Sequence, residues 1–270
     1  MTELRQIAVR CLALLLLAFA ATSAMQAQEF DPSSPLGAKT IYPRIGVVGG
    51  LDRTEMTGEF TIGCGRFEGG EGTNVLLGVT FDMPIADRFR LDAIAGFRTR
   101  NVAGRYTTVE PSIIQASDRF VETPITYEHI GSLNSSYLFL QPGVTAYPLS
   151  WLYLGVGANV GLSLGGDMGY SRDIASKVVT LDNGEVLEAF YPLSDSPDPH
   201  SRRFPDETPE ERATVLIDPV GYIGAEFSIW RDYFIGPRIT YSYPVMEAVI
   251  DPAATLSSLR ASILIRTHLR

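Results

Sequence analysis

Lysine is nearly absent from this 270-residue chain: Lys39 and Lys177 stand against twenty arginines. Cysteine is equally scarce. Of Cys11 and Cys64, only the second lies beyond the N-terminal segment read below as removable. An internal disulfide is then excluded, and with it a disulfide-stapled fold. Long hydrophobic runs are also missing. The longest apolar core, residues 12–21, has ten residues, about half of what a spanning helix needs. No amphipathic helix pattern of useful length occurs, and none of the three histidines sits in a metal-ligand spacing. The net charge is −9. Residues 167–212 concentrate it, with eleven carboxylates against five Lys or Arg. Such a surface repels phosphate backbones and argues against nucleic acid as a partner.

The first residues have the form of an export signal. Arg5 and Arg10 are its basic start, residues 12–21 its apolar core, and Thr22-Ser-Ala24 its small-residue cleavage site. The expected division is a signal peptide over 1–24 (or to Ala27), a periplasmic segment over 25–41, and one β domain over 42–270.

What the chain does contain is strict alternation. In the run from Trp151 to Gly165, every even position is apolar: Leu152, Leu154, Val156, Ala158, Val160, Leu162 and Leu164. Odd positions after Tyr153 are small or polar: Gly155, Gly157, Asn159, Gly161, Ser163 and Gly165. Successive side chains of a strand point to opposite faces, and a membrane-crossing strand needs about 9–11 residues. Seven further runs repeat the pattern. Ile45, Val47, Gly49 and Leu51 form one apolar face; Val75, Leu77, Val79, Phe81 and Met83 oppose Asn74, Thr80 and Asp82. Phe89, Leu91, Ala93, Ala95 and Phe97 oppose Arg90, Asp92, Arg98 and Arg100. Leu138, Leu140, Val144 and Ala146 oppose Gln141 and Thr145; Ile223, Ala225, Phe227 and Ile229 oppose Asp218, Tyr222 and Glu226. Ile235, Ile239 and Tyr241 oppose Arg238 and Thr240; Leu259, Ala261, Ile263 and Ile265 oppose Arg260, Ser262 and Arg266.

Connections alternate as well. Tight turns are expected at 84–88, 148–150 and 230–232, and long loops near 53–73, 101–131, 166–213 and 245–257. Short periplasmic turns and long extracellular loops characterise outer-membrane barrels. The expected fold is therefore an all-β, eight-stranded, antiparallel up-and-down transmembrane β-barrel. Pro142, Pro219 and Pro237 each remove a ladder hydrogen bond, so each predicts a bulge or strand end. Trp151 and Trp230 fall at tight turns and are candidates for the membrane interface, although parity aims them inward.

The segments Tyr137-Leu-Phe-Leu-Gln-Pro-Gly-Val-Thr-Ala-Tyr-Pro148, Leu152-Tyr-Leu-Gly-Val-Gly-Ala158, Gly221-Tyr-Ile-Gly-Ala-Glu-Phe227 and Leu259-Arg-Ala-Ser-Ile-Leu-Ile265 carry a resemblance. Over residues 42–270 the chain resembles the small outer-membrane β-barrel proteins, the porin-like group that includes OmpA- and PorT-like barrels. The likeness lies in pattern and holds no catalytic signature. Many members end on an aromatic residue, whereas this chain closes on Thr267-His-Leu-Arg270. The resemblance implies an outer-membrane location, contact with lipid and lipopolysaccharide, and a monomer.

The candidate site is the polar face that the barrel would enclose: Asp82, Arg90, Asp92, Arg98, Asp218, Glu226, Arg238, Arg260 and Arg266. Buried charges must pair, and an eight-stranded barrel is just wide enough for side chains to fill. The expectation is a salt-bridged plug, with Asp82 across from Arg90 if the first turn centres on Ala86, and Glu226 across from Arg238 if the third centres on Asp232. No cofactor, metal or catalytic residue is expected. A structural or interaction role follows, with the long loops offered to an envelope or extracellular partner. Two alternatives remain. One is a secreted lipocalin-like carrier, which requires an apolar interior. The other is an outer-membrane hydrolase using Glu128, His129 and Ser132.

Overall fold

The computed structural model describes residues 42–62, 65–116, 119–181, 184–191, 198–206, 214–230, 232–245 and 254–269. The expected export signal, the segment 25–41 and Cys64 lie outside the described residues. Eight antiparallel strands form the fold. They are β1 (Arg44–Ile62), β2 (Gly65–Ala86), β3 (Phe89–Thr99, continued in register by Val102–Ala116) and β4 (Arg119–Ala146). The others are β5 (Leu152–Ile174), β6 (Val215–Ala225, continued by Phe227–Trp230), β7 (Tyr233–Ser242) and β8 (Ala254–His268). Each pairs with its sequence neighbours, and β1 pairs with β8 from Arg44↔His268 to Gly58↔Ala254. The sheet is thereby closed into an up-and-down barrel, and closure removes the free edges of an open sheet.

Outside, a continuous belt is apolar. Val47, Leu77, Val156, Ile239 and Ile263 are all more than half exposed, and charged residues occupy no outward position between Ile45 and Leu51 or between Leu152 and Leu164. Inside, the alternate residues are buried. Pro142, Pro219 and Pro237 lie on the outward face, and the ladder register runs through each without a shift. The expected bulges are therefore absent at these positions. The registers do shift next to the tight turns, between Pro84 and Ala86 and between Ser228 and Trp230. A bulge adds one residue to one strand and changes which face the next side chain meets. That is why Trp230 is exposed although parity aims it inward; Trp151, which precedes β5, is exposed too.

The described residues of 53–73 and 101–131, expected as loops, are mostly hydrogen-bonded ladder instead: β1 pairs with β2 as far as Ile62↔Gly65, and β3 with β4 as far as Ala116↔Arg119. The reason is an inversion of the pattern. Within the belt the apolar residues of β1 other than Val48 point out (Ile45, Val47, Leu51); beyond it they point in (Met56, Phe60, Ile62) while Arg53 and Glu55 face out. A search for one apolar parity ends where the parity changes sign. Gly58, at φ 110°, allows the register shift between Thr57 and Phe60 that keeps Phe67 stacked on Phe60 at 4.9 Å. In 166–213, β5 runs on to Ile174, a small hairpin pairs Val178–Thr180 with Val186–Glu188, and Ser201–Arg203 lies beside β5. At about 3.4 Å per residue, the 28 residues of β4 reach about 95 Å, or about 70 Å at a tilt of about 40°.

Candidate functional site

Four levels of side chains fill the barrel interior, set by every second residue of each strand. Nearest the short turns is a tight ionic tier. Asp82 accepts hydrogen bonds from Arg44 Nε (3.1 Å), Arg90 Nη2 (2.6 Å) and Arg266 Nη1 (3.1 Å). Asp92 accepts from Arg238 Nη2 (2.6 Å) and Arg266 Nη2 (2.8 Å). Glu226 closes the tier against Arg44 and lies 3.5 Å from Arg266 Nη1. Arg90 also donates to the Tyr42 carbonyl (2.9 Å) and Arg44 to the Tyr147 hydroxyl (3.1 Å). Arg238 lies over the Tyr222 ring, 4.3 Å from its centroid.

Above this tier comes an apolar layer of Val48, Leu76, Ile94, Phe139 and Leu264. A second ionic tier follows, made of Asp52, Arg98, Arg100, Asp218 and Arg260. It is looser. Arg100 Nη2 donates to Asp218 and Arg260 Nη1 to Gln141 Oε1 (3.0 Å). The remaining approaches are long: Arg98 to Asp52 3.8 Å, Arg98 to Asp218 3.7 Å, and Arg260 to Asp52 3.8 Å. The fourth level is an apolar and aromatic cap, with Met56, Phe60, Ile62, Phe67, Val102, Leu133, Tyr137, Leu216 and Leu256. The eleven charged side chains of the two tiers other than Glu226 are at most 3% exposed.

All nine candidate residues thus line the interior, but the cross-strand partners differ from expectation. Asp82 is in register with Asp92, and Arg90 with Pro84. The bulge at the turn moves the hairpin centre, and Arg90 reaches Asp82 diagonally. Arg238 is in register with Gly224 and crosses the lumen to Asp92, while Glu226 belongs to Arg44 and Arg266. Arg44 and Asp52 are absent from the expected polar faces, and Arg100, which stands on the polar face of its run, is absent from the candidate set. Arg44 and Asp52 keep the inward parity of β1 just outside the span first assigned to it, and Arg100 keeps that of β3. Continued parity was the signal that would have found them.

Beyond the cap, His129 is buried. Its Nε2 lies 2.8 Å from Thr108 Oγ1, its Nδ1 2.6 Å from the Tyr170 hydroxyl, and Tyr106 stacks on its ring at 4.5 Å. Ser132 donates to the Gly169 carbonyl at 3.3 Å, so Glu128, His129 and Ser132 are not aligned as a proton relay. His200 places Nδ1 2.8 Å from the Ala189 carbonyl. Among the described residues no group of three or more His, Cys, Asp or Glu could hold a metal ion.

No protein-family profile and no curated protein matches the chain. Among solved structures it is similar to Ail, the attachment invasion locus protein of Yersinia pestis, at 9% identity and a TM-score of 0.32, covering 84% of this chain and 99% of that chain. It is similar to the outer membrane protease OmpT from Escherichia coli at 8% identity and a TM-score of 0.31, covering 90% and 99%. It is also similar to the translocator domain of the autotransporter NalP from Neisseria meningitidis at 12% identity and a TM-score of 0.26, covering 98% of each.

Proposed function

We propose that the chain is an integral outer-membrane β-barrel with a closed interior, which serves as an anchor and presents its long-hairpin end to partners outside the cell. One observation carries this reading: the closed barrel is inside-out relative to a soluble protein, with an uncharged apolar belt outside and twelve charged side chains inside. Water would leave that belt unsatisfied, whereas an acyl chain covers it at no cost in hydrogen bonds. The arrangement is the opposite of what a carrier of apolar ligands needs.

The membrane takes about 25 Å of the barrel's height, and β3, β4 and β5 continue well past it. Beyond the belt the outward face mixes charged residues such as Arg53, Glu55, Glu71 and Arg105 with exposed Val109, Ile113 and Phe120, and the acids Asp167 and Asp173 of β5 lie at this end. Four filled levels leave the lumen no wide path, so the exposed extension is the part available for interaction. The test is fractionation of the full chain expressed in a Gram-negative host. The protein should appear in outer-membrane fractions, resist extraction by alkaline carbonate and migrate differently before and after boiling. Recovery as a soluble periplasmic or secreted protein overturns the reading.

A further inference from the structure

We infer that the second ionic tier is a binding site for one small monovalent inorganic anion of halide size. The inference rests on the sealed interior and goes beyond the location proposed above. Its first support is charge. Arg98, Arg100 and Arg260 face only Asp52 and Asp218, which leaves one positive charge uncompensated among the described residues. Arginine does not shed its proton in proteins, so the excess cannot be removed by neutralisation, as it would be for lysine.

Enclosure is the second support. The tier lies between the layer of Val48, Leu76, Ile94, Phe139 and Leu264 and the aromatic cap, and its five charged side chains are at most 2% exposed. An unbalanced charge in such a place is costly. The tier by the turns also carries one excess positive charge, with four arginines against three carboxylates. That tier borders a cavity of about 80 Å³ at the mouth, lined by Arg44, Arg90, Tyr147 and Glu226 among others.

The third support is geometry. Arg98 Nε and Nη1, Arg100 Nε, and Arg260 Nε and Nη2 are buried donors without a hydrogen-bond partner. Both Arg98 and Arg260 approach Asp52 only to 3.8 Å, so the carboxylate does not consume them. Unpartnered N–H groups on three neighbouring guanidinium groups, beside an Asp52 carboxylate whose oxygens also lack hydrogen-bond partners, are donors suited to a halide. Its charge makes the tier neutral, and its spherical shape accepts donors from any direction.

The experiment uses the full barrel in detergent at constant ionic strength, with chloride or bromide replacing gluconate, an anion too large to enter. Ligand that binds the folded state raises stability with the logarithm of its concentration. The expected result is a Tm that climbs with chloride and bromide, together with an anomalous bromide peak beside Arg98 and Arg260 in crystals. Thr240→Asp places a carboxylate in register with Arg260. This variant should lose the halide dependence and, in gluconate, exceed the parent in Tm. Arg260→Gln, which removes the excess charge, should lose the dependence also. If Arg260→Gln does not fold, the parent and Thr240→Asp still decide. Equal Tm of the parent in gluconate and in halide, or density refining as water alone, overturns the inference.

Discussion

Asp82 and Asp92 are direct register partners on the inner face of the β2–β3 ladder, and one side chain, Arg266, donates to both at 3.1 and 2.8 Å. Like charges directly opposite on a sheet repel. Here the repulsion is turned into a clamp, because β8 supplies the cation that the two acids share. Removing one partner of a buried ionic network typically costs about 3–5 kcal/mol. Arg266→Leu should therefore lower stability to urea by about that amount. Arg53→Leu, which breaks exposed pairs with Glu55 and Glu71, should stay within about 1 kcal/mol. Asp92→Asn added to Arg266→Leu should deepen the loss, because Arg238 then loses the carboxylate it donates to. Equal unfolding midpoints for the two single variants in detergent would show that the clamp contributes nothing.

Parity made most of this legible. The eight strands, the inward placement of the nine charged residues and the tight turns all follow from a side-chain period of two. Pairing is what alternation does not give. The bulges beside Ala86 and Trp230 shift each hairpin by a residue, so Arg90 meets Asp82 on the diagonal and Arg238 crosses the barrel instead of facing Glu226. The outer halves of β1 to β4 were hidden for a different reason. Many of their apolar residues, such as Met56 and Tyr127, face inward, while their outward positions mix charged residues with Val109, Ile113 and Phe120. A pattern tuned to lipid outside fails there.

Tyr222 packs onto glycines of two other strands. A Cβ on Gly155 would lie 2.3 Å from the Tyr222 ring, and one on Gly143 would lie 2.7 Å from its hydroxyl oxygen, which is held 2.9 Å from Thr145 Oγ1. Overpacking a filled interior costs about 1–3 kcal/mol. Gly155→Ala should destabilise by that order, and combining it with Tyr222→Leu should cost less than the sum of the two separate changes. A double-mutant cycle in urea measures the coupling. Additive effects would mean that the ring moves aside freely.

The two tryptophans of the chain, Trp151 and Trp230, are both exposed at the short-turn end. In lipid they belong at the interface, where amphipathic rings settle. Phospholipids brominated near the headgroup should quench their fluorescence more strongly than phospholipids brominated near the chain ends. Each tryptophan can be read alone after Trp→Phe replacement of the other. Stronger quenching from the bilayer centre would displace the proposed belt by half a membrane.

The last prediction concerns pH at the long-hairpin end. Burial, with Arg172 adding to it, holds the His129 imidazole below its ordinary value, and Glu110 opposes them more weakly. Glu110 lies 3.9 Å from Nε2 and is itself engaged by Arg172 and Thr108. The unfolded imidazole titrates near 6.5, the folded one lower, so between these values the opened segment binds the proton more tightly than the closed one. The stabilisation is complete above about 6.5 and is lost as pH falls through the folded value. Amide exchange of residues 125–131, corrected for intrinsic rates, should therefore quicken relative to the inner strands between pH 7.5 and pH 5.5. His129→Gln retains polar contacts with Thr108 and Tyr170 and removes the titration, so its protection should be nearly flat over the same interval. A parent as flat as this variant would mean that the imidazole accepts its proton without opening the cluster of Tyr106, Tyr170 and Phe67 around it.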